Sequence, residues 1–356
     1  MSSSEPRAAG RRFLAVLFAG AALMLGGVIS ATALIDPTGL LVGAGWPQGL
    51  CAPGIKDPRD IGRLTTNAQV RQPHEIIVGS SRVIHGIDRA ALSRHDGARL
   101  ANLGLSGGTL VDIDAIVRSA TAHAPIQTVW IGLDMSAFGL IDPVGGPGSG
   151  PATSPSPQQK ALFSGLLSPQ AWSGTLRVLR SPRSCSHPSF DADGFIFPGA
   201  SQLRATDRAI LPDSAARAQM MGSWKASSLA DRDIDYAAGM ARFTRLLADL
   251  RHQGVAVVLY VGPTHPAYDS LVAEAGLTRF RVRWRADVAR IAREQGAVLV
   301  PADRSDFLAT LPGLPANCDA TPADCAFYDA THFRPFVGTA IIREGRRRSG
   351  SPTDPR

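Results

Sequence analysis

The sequence predicts an α/β protein: a three-layer α/β/α sandwich around a mainly parallel five-stranded sheet, preceded by one N-terminal transmembrane helix. Two observations lead to this class. Short apolar runs rich in branched residues alternate with longer stretches of helical periodicity, an order typical of a parallel sheet with helices on both faces. Ahead of them, residues 13–35 form an apolar run without a charged residue, and a run of this length can cross a bilayer.

Composition excludes several classes of protein. Hydrophobic residues make up 44% of the 356 residues and charged residues 19%, which allows a packed core and argues against a disordered chain or a coiled coil. The formal net charge of +7 is concentrated in the two ends of the chain, residues 1–12 and 343–356. Because the body lacks the clustered basic stripe that a phosphate backbone requires, no nucleic-acid partner is expected.

The N-terminal segment predicts that everything after it is exported. As a helix, residues 13–35 would span roughly 34 Å, more than the hydrocarbon core of a bilayer. Three arginines precede this run, so the positive-inside rule places residues 1–12 in the cytoplasm and the rest in the periplasm. Ala31-Thr32-Ala33 leaves a cleaved signal peptide open, but cleavable apolar regions are usually only about 7 to 15 residues long. We expect a single-pass anchor in the cytoplasmic membrane.

Export makes disulfide bonds possible, and the chain has four cysteines. Cys318 and Cys325 are close in sequence around a loop, so a bridge between them is expected first, which leaves Cys51 to pair with Cys185. Metal binding is the alternative. No C-x-x-C pair or histidine at zinc spacing accompanies these cysteines, and we expect neither a metal nor a cofactor.

Five apolar runs predict buried parallel strands. They are residues 75–79, 99–103, 128–133, 255–261 and 297–301. Helical patterns lie between them at residues 110–122, 237–253 and 277–295, the last two ending at a glycine. The predicted organisation is a linker at 36–71, a body at 72–342 with an insertion at 141–235, and a disordered tail at 343–356. Ligands of such a sheet bind beyond the carboxyl ends of its strands.

Serine residues follow the first predicted strand, where the chain must turn. In Gly79-Ser80-Ser81-Arg82 a hydroxyl group can project from the carboxyl edge of the sheet, with the backbone N–H of the same residue free to donate to an oxyanion. A turn of this composition more commonly only caps a helix. Both interpretations remain open on this segment alone.

An aspartate and a histidine follow the last predicted strand. In Asp329-Ala330-Thr331-His332-Phe333 the two side chains are three residues apart, so the carboxylate can orient an imidazole that serves as general base. The alternative is that Asp329 caps a helix that begins at about Pro335, with His332 packed beneath it.

A glycine-rich turn follows the second predicted strand, in the segment that runs from Asn102 to Thr109. Its glycines allow backbone N–H groups to approach a ligand, and the Asn102 amide can donate as well. A flexible strand-to-helix turn is the more frequent meaning of such glycines. However, the serine, the glycine turn and the Asp-x-x-His segment all fall at the same edge of a parallel sheet, which favours a common site.

GSSR, NLGLSGGT and DATHF resemble, in order and spacing, the first, second and fifth conserved blocks of the SGNH (GDSL-like) hydrolase superfamily. The resemblance covers residues 75–342 and implies a flavodoxin-like sheet. It implies that Ser81 is the nucleophile, His332 the general base and Asp329 its orienting partner. The N–H groups of Ser81 and Gly107 would bind the oxyanion.

The third block departs from the pattern of that superfamily. Members carry Gly-x-Asn-Asp after the third strand, whereas this chain has Gly132-Leu133-Asp134. An ionised aspartate cannot donate a hydrogen bond, so either Asp134 has another task or Asn102 supplies the missing donor. Together with Arg82 and His265, which follows the fourth strand, Asp134 is a candidate for substrate binding. A histidine at this rim can equally be a bystander.

The resemblance implies an extracytoplasmic serine esterase or O-acyltransferase. The anchored layout is similar to the envelope branch that includes polysaccharide O-acetyltransferases and D-alanyl-transfer partner proteins. The implied substrate is an acylated glycan or another ester, and a membrane protein that supplies the acyl group is a possible partner. The alternative is an inactive, membrane-anchored glycan-binding or scaffold protein of the same fold, which the departure at Asp134 and the proline-rich insertion motivate.

Overall fold

A computed structural model of the chain describes eleven separate segments. They are residues 5–35, 64, 68, 71–88, 100–138, 167, 169–180, 195, 229–311, 326–328 and 330–350. The chain forms two compact units. One comprises residues 1–58 and 155–188, and the other residues 59–154 and 189–356.

The described residues form helices, strands and one short 3-10 helix at Met135–Phe138. The helices are α1 Glu5–Ile35, α2 Ser81–Gly86, α3 Leu110–His123, α4 Pro169–Arg180, α5 Leu229–His252, α6 Pro266–Glu274, α7 Thr278–Gln295, α8 Ser305–Ala309 and α9 Pro335–Ser349. The strands are β1 Glu75–Val78, β2 Leu100–Asn102, β3 Thr128–Leu133, β4 Ala256–Val261 and β5 Val298–Val300. Each of the five predicted strands is confirmed to within one residue at either end.

The larger unit is an α/β fold with a parallel sheet, as the sequence predicts. The strand order is β2-β1-β3-β4-β5, and every neighbouring pair is parallel. The order reverses between β1 and β3, because β2 lies on one side of β1 and all later strands lie on the other. The place where the order reverses is the switch point of the sheet. In doubly wound sheets of this order, ligands bind there, outside the carboxyl ends of the strands.

Both faces of the sheet are buried, which explains why its strands are continuously apolar in sequence. Successive side chains of a strand point to opposite faces, so Ile76 and Val78 pack into one core with residues of α3, α5 and α7. Ile77, between them, packs into a second core with residues of α9. All three side chains are completely buried.

The smaller unit contains α1, which extends the predicted apolar run in the N-terminal direction. Its segment Gly10–Ile35 is long and apolar enough to span a membrane. Helix α4 packs against α1, and the Thr175 hydroxyl donates to Thr32 Oγ1 at 3.2 Å.

Two predicted boundaries of the larger unit differ from the structure. The folded body begins before residue 72, inside the predicted linker 36–71. Leu64 and Ala68 are buried in the first core, and the Gln72 N–H donates to the Ala68 carbonyl at 3.0 Å. Helix α5 begins inside the predicted insertion 141–235. Its start carries three aspartates and an arginine among its first seven residues, which obscured the apolar periodicity.

The prediction of a disordered tail from residue 343 is wrong for its first half. Helix α9 continues to Ser349 and ends at Gly350. Two of its late residues are buried: Gly345 faces the ring of Trp130, and Arg346 is 8% exposed. The polar sequence of this stretch masked a face that packs on the sheet.

Several predictions concern residues outside the described segments. All four cysteines lie there, so both predicted disulfide bridges stay predictions. Most of the insertion 141–235, the linker as far as residue 63 and the end of the chain after residue 350 lie there as well.

The packing of α9 on β3 makes Gly345→Ala a test of this part of the fold. A Cβ atom at Gly345 would lie 2.5 Å from Cζ3 of Trp130, a buried ring that cannot move aside. We expect a loss of about 1 to 3 kcal/mol in the free energy of unfolding, measured as a lower denaturant midpoint for the full chain in detergent. Arg343→Ala, at an exposed position of the same helix, is the control. Equal midpoints for the two variants would contradict the packing of α9.

Candidate active site

The turn after β1 positions a pair of serines at the switch point of the sheet. Gly79 has a φ of +151°, and a Cβ atom there would lie 2.5 Å from Cγ2 of Val83 and 2.9 Å from the Gly132 carbonyl oxygen. The next residue, Ser80, is the N-cap of α2, and its Oγ accepts from the Arg82 N–H at 3.3 Å. Because Ser80 is the cap, Ser81 is available for another role.

The structure brings Ser81 and His332 together, although 251 positions separate them in sequence. The distance from Ser81 Oγ to His332 Nε2 is 2.8 Å. When the imidazole proton is on Nδ1, the serine hydroxyl donates to Nε2, which is the arrangement in which histidine can act as a general base. Ser81 is the first residue of α2, so its N–H precedes any acceptor within the helix.

A short closed loop holds His332. Phe327 and Phe333 form an antiparallel bridge, and the Tyr328 N–H donates to the His332 carbonyl at 2.8 Å. Phe333 is completely buried. The loop is therefore anchored by an apolar residue next to the imidazole.

The second ring nitrogen of His332, Nδ1, lies beside the hydroxyl of Thr331, a residue to which the sequence analysis gives no role. Thr331 Oγ1 lies 3.1 Å from Nδ1, and the ring of His85 stands edge-on to that of His332 with centroids 5.4 Å apart. Asp329, the predicted orienting residue, lies outside the described residues, and its role stays a prediction. The alternative that Asp329 caps α9 stays a prediction for the same reason, and the residue at the N-cap position of α9 is Arg334.

Asp134 accepts from both residues that flank Ser81. The Ser80 hydroxyl donates to its Oδ2, and Arg82 Nη1 lies 2.7 Å from its Oδ1. The side chains of Arg82 and Asp134 are only 12% and 8% exposed. Asp134, at the end of β3, thus stabilises the turn that carries the candidate nucleophile. It does so as a hydrogen-bond acceptor, not as an oxyanion donor.

Two buried phenols lie beneath this network, and sequence patterning did not distinguish either from a core residue. Burial raises the pKa of Tyr260, and the nearby Asp134 raises it further. Burial likewise raises the pKa of Tyr268, whose ring lies 5.6 Å from the guanidinium carbon of Arg82. Both phenols are therefore neutral at physiological pH. The Tyr260 hydroxyl is buried without a hydrogen-bond partner among the described residues.

The glycine turn after β2 lies beside the serine turn. The Leu105 N–H donates to the Gly79 carbonyl at 2.8 Å, which continues the pairing of β2 with β1 beyond the strands. Gly107, two residues further on, is exposed and has a φ of +64°. In the part of the chain that the structure describes, nothing lies within 4 Å of the place where a Cβ atom would be. The position is open, as a backbone donor to a ligand would need to be.

Asn102 holds these two turns together. Its Nδ2 donates to the Val83 carbonyl at 3.2 Å, and its Oδ1 accepts from the Gly104 N–H at 3.0 Å. The side chain is completely buried. These contacts connect β2 to α2, and the function of Asn102 as an oxyanion donor stays a prediction.

His265 is a structural neighbour of the loop that carries the imidazole. Its Nδ1 accepts from the Ala267 N–H at 3.1 Å, which caps α6. Its own backbone N–H donates to the Ala330 carbonyl at 3.1 Å, and its ring stands edge-on to Phe327 at 5.6 Å. These contacts favour a supporting role for His265 over the predicted substrate contact.

A cleft that is open to solvent lies at the carboxyl ends of β3 and β4. Its lining includes Arg82, Thr264, Arg281, Trp284, Arg285 and Asp303. Burial raises the pKa of Asp303 although Arg285 forms an ion pair with it. Within the described segments, no group of three or more His, Cys, Asp or Glu side chains could hold a metal ion.

No known protein family, curated protein or solved structure matches the chain. The site is therefore interpreted from its own geometry: a serine hydroxyl hydrogen-bonded to an imidazole, beside an exposed glycine turn, at the switch point of a parallel sheet. These are the groups that nucleophilic acyl transfer requires.

The ion pair and hydrogen bond of Asp134 lead us to expect that Asp134→Ala strongly destabilises the protein. Removing the carboxylate leaves the guanidinium of Arg82 buried and unpaired, and we expect a loss of about 3 to 5 kcal/mol in the free energy of unfolding. The measurement is chemical denaturation of the full chain in detergent. Asp249→Ala is the matched control, because Asp249 pairs with Arg118 at 2.7 Å while both are more than 40% exposed. That variant should lose less than about 1 kcal/mol, and similar losses in the two variants would contradict the assigned role.

Proposed function

We propose that this protein is a membrane-anchored serine esterase or O-acyltransferase that acts on an acylated envelope or exported glycan. The observation that carries the proposal is the 2.8 Å distance between Ser81 Oγ and His332 Nε2. Two residues so far apart in sequence meet at the edge of the sheet where ligands of such folds bind. If the serine turn only capped a helix and His332 only packed in the core, the hydrogen bond between Ser81 and His332 would not be needed.

The first half of the reaction acylates the serine. His332 Nε2 takes the proton of the Ser81 hydroxyl while Oγ attacks the ester carbonyl, and a tetrahedral oxyanion forms. The protonated imidazole then gives this proton to the departing alcohol oxygen as the carbon–oxygen bond breaks. An acyl group remains on Ser81.

Backbone donors stabilise the oxyanion. The N–H of Ser81 is at the start of α2, and Gly107 is exposed in the adjacent turn. Preorganised donors of this kind typically contribute 10²- to 10³-fold each. Asn102 bonds the backbone of α2 and of the glycine turn, and its part as a third donor to the oxyanion stays a prediction.

The second half of the reaction transfers the acyl group from Ser81 to an acceptor. Water as acceptor gives an esterase, and a sugar hydroxyl gives an O-acyltransferase. In both cases His332 removes the proton of the acceptor as its oxygen attacks the acyl carbon, and returns it to Ser81 Oγ as the acyl bond breaks. A membrane protein that supplies the acyl group is the partner this second case requires.

The proposal extends to the architecture and the location. The two buried faces of the sheet support a three-layer α/β/α arrangement of the SGNH type, and the strand order is that of flavodoxin-like sheets. Helix α1 serves as an uncleaved anchor in the cytoplasmic membrane. The positive-inside rule supports a cytoplasmic N-terminus and a periplasmic catalytic unit.

Covalent labelling tests the nucleophile. The full chain in detergent should react with a fluorophosphonate probe, and Ser81→Ala should abolish the label because no other group takes the place of Oγ. His332→Ala should slow labelling by about 10³-fold or more, since the base is lost. Ser119→Ala, on the distant α3, is the control. Undiminished labelling of Ser81→Ala would rule out the mechanism.

The orienting partner of His332 is tested by comparing two substitutions. Asp329→Asn should lower the labelling rate by up to about 10⁴-fold, because an amide favours the wrong imidazole tautomer. Thr331→Val removes one neutral hydrogen bond and should cost about tenfold at most. The reverse order of effects would make Thr331 the orienting residue in place of Asp329.

The second candidate is an anchored glycan-binding scaffold without turnover. Asp134 favours this candidate, because it accepts from Ser80 and pairs with Arg82. The superfamily that the sequence resembles has an oxyanion donor at this position. It predicts binding of acetylated glycans that persists in Ser81→Ala and His332→Ala. Release of acetate that depends on Ser81 would exclude it.

A further inference from the structure

Helix α4 of the smaller unit carries an exposed apolar side. Leu176 is 50% exposed and Leu179 58% exposed, and with Trp172 they are spaced four and three residues apart. At about 100° per residue these three positions fall within one narrow sector of the helix. Ser173, also exposed, stands about 100° from Trp172 on the polar side.

Contacts with α1 fix where α4 lies along that helix. The Thr175 hydroxyl donates to Thr32 Oγ1, and both residues are at most 5% exposed. Residues 21–28 of α1 are all exposed, whereas burial begins at Ile29. Helix α4 therefore meets only the last two turns of α1.

The length of α1 gives the depth of this contact in a bilayer. Arg11 and Arg12 stay on the cytoplasmic side of the hydrocarbon core. Counted from Phe13, about 20 helical residues cross a core of roughly 30 Å and end at Thr32. The junction with α4 thus falls at the outer boundary between hydrocarbon and headgroups.

We propose that α4 is an interfacial helix that lies on the outer leaflet of the bilayer, with Leu176 and Leu179 inserted among the lipid chains. Near the same level, α1 exposes Leu34, which is 79% exposed. Amphipathic helices bind at this level, and tryptophan is enriched there. The inference rests on the membrane anchor proposed above and is independent of the esterase chemistry.

Depth measurements on the full chain test this inference. The chain carries one genetically encoded fluorescent amino acid at a time, at Leu176, Leu179, Ser173 or Leu23, and is reconstituted into vesicles of phosphatidylcholine and phosphatidylglycerol. All four positions are exposed, so the substitutions remove no core contact. Quenching is compared between aqueous iodide and lipids brominated near the start or the end of the chain.

The expected result is that labels at Leu176 and Leu179 are quenched by the shallow brominated lipid at least about threefold more than a label at Ser173. A label at Leu23, in the middle of α1, should be quenched most by the deep brominated lipid. If Leu23 is deep while Leu176 and Leu179 respond to iodide like Ser173, the interfacial helix is overturned and the anchor stands. If Leu23 itself responds mainly to iodide, the anchor and the interfacial helix are both overturned.

Discussion

The candidate site depends on the close approach of two backbones at the ends of β1 and β3. A Cβ atom at Gly79 would collide with Val83 and with the Gly132 carbonyl, and one at Gly132 would lie 2.6 Å from the Tyr260 hydroxyl. No side chain fits at either glycine without displacing its neighbours. The tight packing lets the chain leave β1 in an abrupt turn, and this turn presents Ser81 at the switch point. Gly132 and Gly79 thus both allow the close approach that shapes this turn.

A buried ion pair holds that turn. Arg82 and Asp134 lose most of their hydration, and such a pair offsets this cost only when further hydrogen bonds satisfy its remaining atoms. Here the Ser80 hydroxyl satisfies the second carboxylate oxygen, and the ring of Tyr268 lies against the guanidinium group. Because Ser80 and Arg82 flank Ser81, the pair restricts the position of its backbone. Such a pair contributes little net stability compared with an apolar replacement, although removing one partner alone is costly. Its main contribution is therefore to geometry.

The imidazole is positioned independently, by the loop from Phe327 to Phe333. Phe333 fills the space next to Gly86 and Gly262, and His265 supports the loop through the Ala330 carbonyl. The candidate nucleophile is thus held by charge and the candidate base by apolar packing. Proton transfer requires Ser81 Oγ and His332 Nε2 to lie about 3 Å apart. The ion pair and the apolar packing that hold these two residues do not involve the reacting atoms.

The sequence by itself determined the five strands, the serine at the switch point, the apolar N-terminal helix and the segment around His332. Each of these depends on a local pattern: apolar periodicity, turn glycines or a run without charge. It failed at the end of α9, where a polar stretch has buried residues on one side, and it placed the start of α5 too late because that stretch is rich in charged residues. Only the tertiary structure decided that Asp134 is an acceptor, that Asn102 and His265 hold the backbone, and that Thr331 faces the imidazole. The contacts of Asp134 and Asn102, and that of His265 with the Ala330 carbonyl, join residues distant in sequence. Thr331 adjoins His332, but which way its hydroxyl points depends on how the loop folds. A one-dimensional pattern carries no information about which polar groups will satisfy one another when water is excluded.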